Sequence, residues 1–163
     1  MNKVMIIGAI GAGKSTLTKA LLNQDLQAVK TQALHYEEWI VDTPGEYLEN
    51  PLFYKNIIAT SLEVTHLIYL QDATRQQSNF PPFFGTGMTK LPIGVVTKSD
   101  LPEANINQAV DWLKQVIGQA PIVITSSIKG IGIEHIRQLV QCNSLEEMRI
   151  YVEERDDPLL FFA

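Results

Sequence analysis

The chain is poor in the residues that build metal sites and disulfide frameworks. It has one cysteine, Cys142, and three histidines in 163 residues. A single thiol cannot form an intramolecular disulfide, and the scattered histidines lack the spacing of metal ligands. These absences exclude a disulfide-stapled secreted scaffold and a zinc module, and they favour a reducing, cytoplasmic environment.

Positive charge and long apolar runs are also scarce. Thirteen Lys and Arg residues face eighteen Asp and Glu residues, which gives a net charge of −5. Without a polybasic block, we expect no nucleic-acid partner, because phosphate binding of that kind needs clustered cations. The apolar start of the chain, MNKVMIIGAIGAGKS, is interrupted by glycines and Lys14 before it reaches the length of a membrane span. We therefore expect no membrane association.

Short apolar runs alternate with stretches of helical spacing, which is typical of a parallel sheet with crossover helices. The predicted strands are 3–8, 33–36, 39–42, 66–71, 93–97 and 122–125. This pattern predicts a three-layer, doubly wound α/β fold with a mostly parallel six-stranded sheet. We expect one domain over residues 1–163, with its motif-bearing core in 1–141 and an extension, 142–163, whose structure the pattern does not define.

A phosphate-binding loop follows the first predicted strand. Residues 8–15 read GAIGAGKS and match G-x-x-x-x-G-K-[ST], between an apolar strand and a helix. The glycines let successive backbone N–H groups point inward at an anion, beside the positive end of the helix. Lys14 is expected to reach the β- and γ-phosphates, and the Ser15 hydroxyl to ligate Mg²⁺. The predicted phosphate-binding residues are Gly8, Ala9, Gly11, Ala12, Gly13, Lys14, Ser15 and Thr16.

The sequence WIVDTPGEY supplies the metal and γ-phosphate side. Asp42 follows an apolar strand and is predicted to hold the Mg²⁺, while the backbone N–H of Gly45 approaches the γ-phosphate. Between this motif and the phosphate loop, Thr31 is the candidate whose hydroxyl closes over the metal. The predicted metal ligands are therefore Ser15, Thr31 and Asp42.

A third polar segment, VVTKSD, ends the apolar strand at 93–97. It matches the guanine-reading pattern [NT]-K-x-D, in which the Asp100 carboxylate accepts from N1–H and the exocyclic amine of guanine. The stem of Lys98 is expected to lie along the base, and Thr97 stands where asparagine is commoner. Further on, Ser126 and Ser127 begin a degenerate version of the segment that contacts guanine O6 through backbone N–H groups. The predicted ligands are thus GTP or GDP with Mg²⁺.

The order GxxxxGKS, T, DTPG, TKxD, SSx resembles a small G-domain of the translation-factor type. The longer stretch KTQALHYEEWIVDTPGEYLENPLFYKNII, with QDAT and FPPFF, resembles the EutP/PduV family of ethanolamine and propanediol utilisation proteins. That resemblance implies a bacterial protein of the cytoplasm with a role at microcompartments, where a shell protein or an enzyme would be its partner. It also implies an ATP-dependent acetate kinase activity as an alternative to GTP binding.

The residue after the DTPG turn is Glu46, where Ras-like enzymes carry a glutamine that orients the attacking water. We expect an ionised carboxylate there to leave intrinsic hydrolysis slow, below about one turnover per second. The candidate catalytic residues are Lys14, Thr31, Gly45 and Glu46. Three functions stay open at this point: a slow GTPase switch, an acetate kinase that uses ATP, and a scaffold that binds nucleotide only for stability.

Overall fold

The computed structural model describes residues 1–23, 35–78, 80–81 and 84–163. Within them the chain forms one seven-stranded sheet in the order β2-β3-β1-β4-β5-β6-β7. The strands are β1 (Val4–Ile7), β2 (His35–Glu37), β3 (Ile40–Asp42), β4 (His66–Asp72), β5 (Leu91–Thr97), β6 (Pro121–Ile124) and β7 (Leu160–Phe162). The helices are α1 (Lys14–Leu21), α2 (Glu46–Glu49), α3 (Tyr54–Ser61), α4 (Ile106–Val116), α5 (Ile133–Gln141) and α6 (Leu145–Arg155), with 3-10 turns at Pro51–Phe53 and Phe84–Gly87. Thr31 lies outside the described residues.

Helices cover both faces of the sheet, which explains why its central strands are apolar throughout. Successive side chains of a strand point to opposite faces. In β1, Met5 packs into the core with α2, α3 and α4, whereas Ile6 packs into the core with α1, α5 and α6. Because both faces are covered, apolar and polar residues do not alternate along these strands. The predicted three-layer, doubly wound architecture is confirmed.

The C-terminal extension, whose structure the sequence pattern left undefined, adds a seventh strand to the six that were predicted. Ser144 caps α6 by accepting a hydrogen bond from the backbone N–H of Glu147 at 3.1 Å. Only Met148 and Val152 of that helix are buried. The chain then returns as β7, which pairs antiparallel with β6. One narrow apolar stripe among many charged residues gave too weak a periodicity to predict the helix.

The parallel arrangement sets the location of the candidate site. Strands β3, β1, β4, β5 and β6 are mutually parallel, so their carboxyl ends meet at one edge of the sheet. Ligands of open α/β sheets bind at that edge. Among the described residues, no helix is both long enough and apolar enough to cross a bilayer.

Candidate nucleotide-binding site

The phosphate loop links β1 to α1 and takes a backbone shape that only glycine adopts easily. Gly11 has a φ of 78° and Gly13 a φ of 103°, both in the left-handed region. Gly13 is also the residue at which α1 begins. The loop therefore presents the first N–H groups of an eight-residue helix to the carboxyl edge of the sheet.

Lys14 folds back over this loop. Its Nζ donates to the carbonyl oxygen of Ala9 at 3.2 Å, and the residue is only 7% exposed. Burial lowers the pKa of the ammonium, and the charges of Asp42 and Glu49 oppose that change. A buried cation that is held by one neutral carbonyl has capacity for an anion, since an ammonium carries three donors.

Two oxygen ligands suited to Mg²⁺ meet beside the loop. The Ser15 hydroxyl donates to Oδ2 of Asp42 at 3.5 Å, and Asp42 is 3% exposed. The next residue, Thr43, donates its hydroxyl to the carbonyl of Ile6 at 2.8 Å, which fixes the strand end that carries Asp42. A hydroxyl and a carboxylate are hard oxygen donors of the kind Mg²⁺ prefers, so this pair fits the predicted metal. Ser15 and Asp42 would hold the ion, and the ion would neutralise phosphate charge beside it.

The DTPG turn packs directly against the phosphate loop. A Cβ added to Gly45 would lie 2.5 Å from the backbone nitrogen of Ile10, closer than atoms tolerate. Only glycine fits this approach, which places the backbone of Gly45 against the outer end of the loop. Glu46 follows as the exposed first residue of α2.

The base-side candidates line one pocket next to the phosphate loop. Its volume is about 230 Å³. Asp100 lies exposed at its rim, and Lys98 adopts a left-handed φ of 61° to turn its stem into the pocket wall. The lining residues are Gly13, Thr16, Thr97, Lys98, Asp100, Leu101, Ser126, Ser127 and Ile128. Seven of these nine are residues that the sequence motifs predicted as ligands.

Side chains at the carboxyl end of β5 and just after it connect this pocket to the phosphate loop. The Thr97 hydroxyl donates to the carbonyl of Ala12 at 2.8 Å, and Lys98 Nζ donates to the carbonyl of Gly11 at 2.7 Å. Threonine thus makes the link between base loop and phosphate loop with the one donor it has. The exchange of asparagine for Thr97 leaves a direct tether in place.

Asp72, at the end of β4, is a residue that sequence reasoning missed. Its carboxylate accepts from Lys98 Nζ at 2.8 Å and from the backbone and hydroxyl of Thr74 at 2.8 and 2.6 Å. Burial alone would raise the pKa of Asp72, but these hydrogen bonds outweigh burial and lower the pKa. The carboxylate therefore holds the lysine that lies across the pocket wall. Its signal was the D-x-T spacing of an Asx turn after an apolar strand.

In the segment after β6, the backbone N–H group of Ser126, which was predicted to contact guanine, is already used within the turn. The backbone N–H of Ser126 donates to the carbonyl of Ile131 at 3.1 Å, and its hydroxyl accepts from the N–H of Lys129 at 3.2 Å. Ser126 therefore shapes the turn, and Ser127 and Ile128 carry the next N–H groups along the pocket wall.

Arg75 is the second residue that the motifs did not predict. It lies just after β4 and donates from Nη2 to the carbonyl of Ile10 at 3.1 Å. Its guanidinium is 3.9 Å from a carboxylate oxygen of Glu49 in α2. A lone arginine in the sequence QDATRQQ has no motif around it, so only the fold reveals that it reaches the phosphate loop.

Comparison with known proteins identifies the family. The family model PduV-EutP, described as ethanolamine utilisation and propanediol utilisation, matches residues 1–142. The chain belongs to the PduV-EutP family. The match covers every motif of the site, and the PduV-EutP model ends just before α6 and β7, which the C-terminal extension supplies.

Two relatives of this PduV-EutP chain carry different names. The propanediol utilisation protein PduV of Citrobacter freundii is 34% identical over 137 residues, which cover 83% of this chain and 91% of that protein. A protein of Salmonella typhimurium named probable acetate kinase EutP is 34% identical over 142 residues, which cover 86% of this chain and 87% of that protein.

A solved structure confirms the fold class. The crystal structure of a bacterial selenocysteine-specific elongation factor, EF-Sec, superposes with a TM-score of 0.58 at 22% identity. The alignment covers 86% of this chain but only 28% of that factor, so the PduV-EutP chain spans little more than a quarter of its length. At this identity the likeness shows the fold alone, which is a P-loop domain of the small G-domain type.

Proposed function

We propose that this chain is a GTP-binding protein with slow GTPase activity that acts as a switch in ethanolamine or propanediol utilisation. The observation that carries the proposal is the pocket of about 230 Å³ that joins Asp100 to the phosphate loop through Gly13 and Thr97. A purine base in this pocket leaves its phosphates at the N-terminus of α1.

Asp100 supplies the argument for guanine. A carboxylate accepts hydrogen bonds but donates none when ionised. Guanine offers two neighbouring donors, N1–H and the 2-amino group, whereas adenine offers an acceptor at N1 and no 2-amino group. An adenine that covers Asp100 in the same position would take the carboxylate out of water without supplying these partners, which costs about 1–3 kcal/mol. GTP is therefore preferred over ATP.

The phosphate side supports a switch. Mg²⁺ held by Ser15 and Asp42 and the γ-phosphate near Gly45 would bring the loops after β1 and β3 into one arrangement when the triphosphate is bound. Loss of the γ-phosphate releases the turn at Gly45, and α2 follows it directly. The surface around α2 then differs between the two nucleotide states. We propose that a microcompartment shell protein or enzyme recognises this difference.

Acetate kinase is the second candidate, because a relative at 34% identity carries that name. Such an enzyme would move the γ-phosphoryl group of ATP to a small carboxylate. The phosphate loop suits either nucleotide, but Asp100 gives an enzyme that uses ATP no benefit. The base pocket therefore ranks the kinase below the GTPase.

The decisive experiment is calorimetric titration of the nucleotide-free protein, in Mg²⁺, with non-hydrolysable GTP and ATP analogues. We expect the GTP analogue to bind at least about tenfold more tightly, which is the factor that one unpaired polar contact gives. Excess GDP, added first, should block both titrations if they report the same site. Equal or tighter binding of the ATP analogue would reject the hypothesis that Asp100 selects guanine and would favour the kinase function.

A further inference from the structure

Three consecutive carbonyls of the phosphate loop each accept a hydrogen bond from a different cation. Lys14 donates to Ala9 at 3.2 Å, Arg75 to Ile10 at 3.1 Å, and Lys98 to Gly11 at 2.7 Å. The carbonyls are available because the N–H groups of such a loop turn toward the anion. Two of these cations, Lys14 and Lys98, belong to the predicted motifs, whereas Arg75 belongs to none.

Arg75 approaches the γ-phosphate end of the loop. Its acceptor, Ile10, is the residue whose backbone nitrogen lies against Gly45, the residue expected beside the γ-phosphate. Lys98 lies on the other side, where it lines the base pocket. Arg75 and Lys98 therefore bind adjacent carbonyls from two sides. Arg75 approaches from the side expected to hold the γ-phosphate, and Lys98 approaches from the base pocket.

The two cations are also held with different strength. Lys98 has Asp72 as a partner at 2.8 Å, and that carboxylate is nearly buried. Arg75 has Glu49 at 3.9 Å, and both of their side chains are about one-third exposed or more, at 32% and 40%. An exposed pair at this distance contributes little stability. A guanidinium carries five N–H donors, so Arg75 can turn toward a new acceptor at low cost.

The backbone of Arg75 is held more firmly than its guanidinium, which has one carbonyl and one distant carboxylate as partners. Thr74 is held by two hydrogen bonds to Asp72, and the backbone N–H of Arg75 donates to the carbonyl of Asp72 at 3.3 Å. This turn anchors the Cα of Arg75 just after β4, while its side chain spans the distance to the phosphate loop. A planar guanidinium on an anchored backbone suits phosphoryl recognition.

We propose that Arg75 is a catalytic arginine supplied by the chain itself. On nucleotide binding it leaves the Ile10 carbonyl and donates hydrogen bonds to the γ-phosphoryl oxygens as hydrolysis proceeds. Water forms a bond to the γ-phosphorus while the bond to the bridging oxygen breaks, and that electron pair stays on the β-phosphate of GDP. The water proton passes to the departing inorganic phosphate. Arg75 stabilises the negative charge that this transfer spreads over the γ-phosphoryl and bridging oxygens.

This role rests on the proposed GTPase function, and its test separates the two. Wild-type protein, Arg75→Ala, Arg75→Lys and the charge control Lys114→Ala, exposed on α4, are compared. Two quantities are measured: the affinity for GDP alone, and the gain in affinity for GDP when aluminium fluoride is present as a mimic of the transferring phosphoryl group. Single-turnover hydrolysis of GTP is followed in parallel.

We expect Arg75→Ala to bind GDP within about twofold of wild type but to lose the fluoride-dependent gain, with hydrolysis slower by about a thousandfold or more. Arg75→Lys should keep GDP affinity and still lack the gain, because an ammonium cannot donate two parallel hydrogen bonds. Lys114→Ala should match wild type in all three measurements.

Other outcomes overturn the inference in distinguishable ways. If Arg75→Ala weakens GDP binding as much as it slows hydrolysis, the residue only braces the Ile10 carbonyl. If it keeps the fluoride-dependent gain, Arg75 does not contact the transferring group. If wild-type protein itself binds GDP but shows neither the gain nor hydrolysis, the GTPase function fails and this role fails with it.

Discussion

The proposed nucleotide site has a phosphate half and a base half, and we expect different groups to recognise the ligand in each. In the phosphate half, residues 8–15 present backbone N–H groups, and Lys14 and Asp42 are nearly buried. In the base half, the side chains of Lys98 and Asp100 reach a pocket from a strand end, and Asp100 is exposed. Backbone groups bind any polyphosphate, whereas side chains distinguish one base from another. Affinity should therefore depend mainly on the first half and selectivity on the second.

The largest effect is expected from Lys14→Ala. Removing the buried ammonium should weaken GTP-analogue and ATP-analogue binding alike by about a hundredfold, because both triphosphates lose the same charge-assisted contacts. Calorimetry with Lys55→Ala, an exposed lysine on α3, as the control measures this. Unequal losses for the two nucleotides would show that Lys14 takes part in base selection. Affinity and selectivity would then not be separated between the two halves of the site.

Asp100→Asn should change selectivity with little effect on the phosphate half. The amide keeps the shape of the side chain but offers one acceptor instead of two, so the GTP analogue should lose about tenfold to a hundredfold in affinity. The ATP analogue should bind as before. Glu103→Gln, an exposed carboxylate on the same loop, is the matched control. Parallel losses for both nucleotides would contradict a base-reading role.

Thr97→Val tests the hydrogen bond that joins the two halves. The substitution removes the donor to the Ala12 carbonyl and keeps the volume, so affinity for both nucleotides should fall by about fivefold, which corresponds to about 1 kcal/mol. Thr125→Val is the control, because Thr125 makes a similar buried hydrogen bond to the Val96 carbonyl at 2.8 Å without contacting the phosphate loop. The two variants should unfold at similar temperatures. If the two variants bind nucleotide with equal affinity, the hydrogen bond from Thr97 to Ala12 does not contribute to ligand binding.

The smallest effect concerns acid stability at Asp72. Since the folded-state pKa of this carboxyl is lowered, its charge stabilises the fold above the unfolded pKa, and that contribution disappears as pH falls through the folded pKa. Asp72→Asn should therefore flatten the decline in melting temperature between roughly pH 5 and roughly pH 2. Thermal melts across this range, with Asp111→Asn on α4 as an exposed control, measure it. If melting temperature falls with pH as steeply in Asp72→Asn as in wild type, the charge of Asp72 does not stabilise the folded state through Lys98.

The glycine-rich loop and the elements around it could be predicted from the sequence because their requirements are local. Glycine at positions 11 and 13 and a hydroxyl at Ser15 follow from one turn between a strand and a helix, and the apolar runs around it identify both elements. Asp42 and Gly45 follow another strand in the same way. The central strands were predictable because both of their faces are buried.

The rest depends on contacts between distant parts of the chain. Asp72 and Lys98 are 26 residues apart, and Arg75 and Ile10 are 65 apart, so no local pattern signals either pair. The strand β7 forms only because β6 offers it an unpaired edge. Such features follow from the tertiary fold and become visible only when the strand order is known.

That strand order has a consequence for how the protein behaves at high concentration. Within the described residues, the sheet ends on both sides in an antiparallel strand of three residues, β2 at one border and β7 at the other. Short border strands leave few backbone groups with which another polypeptide can pair, and they protect the longer β4 and β5 inside from edge-to-edge aggregation. At high concentration, copies of the chain are thereby kept from exchanging strands through the borders of the sheet.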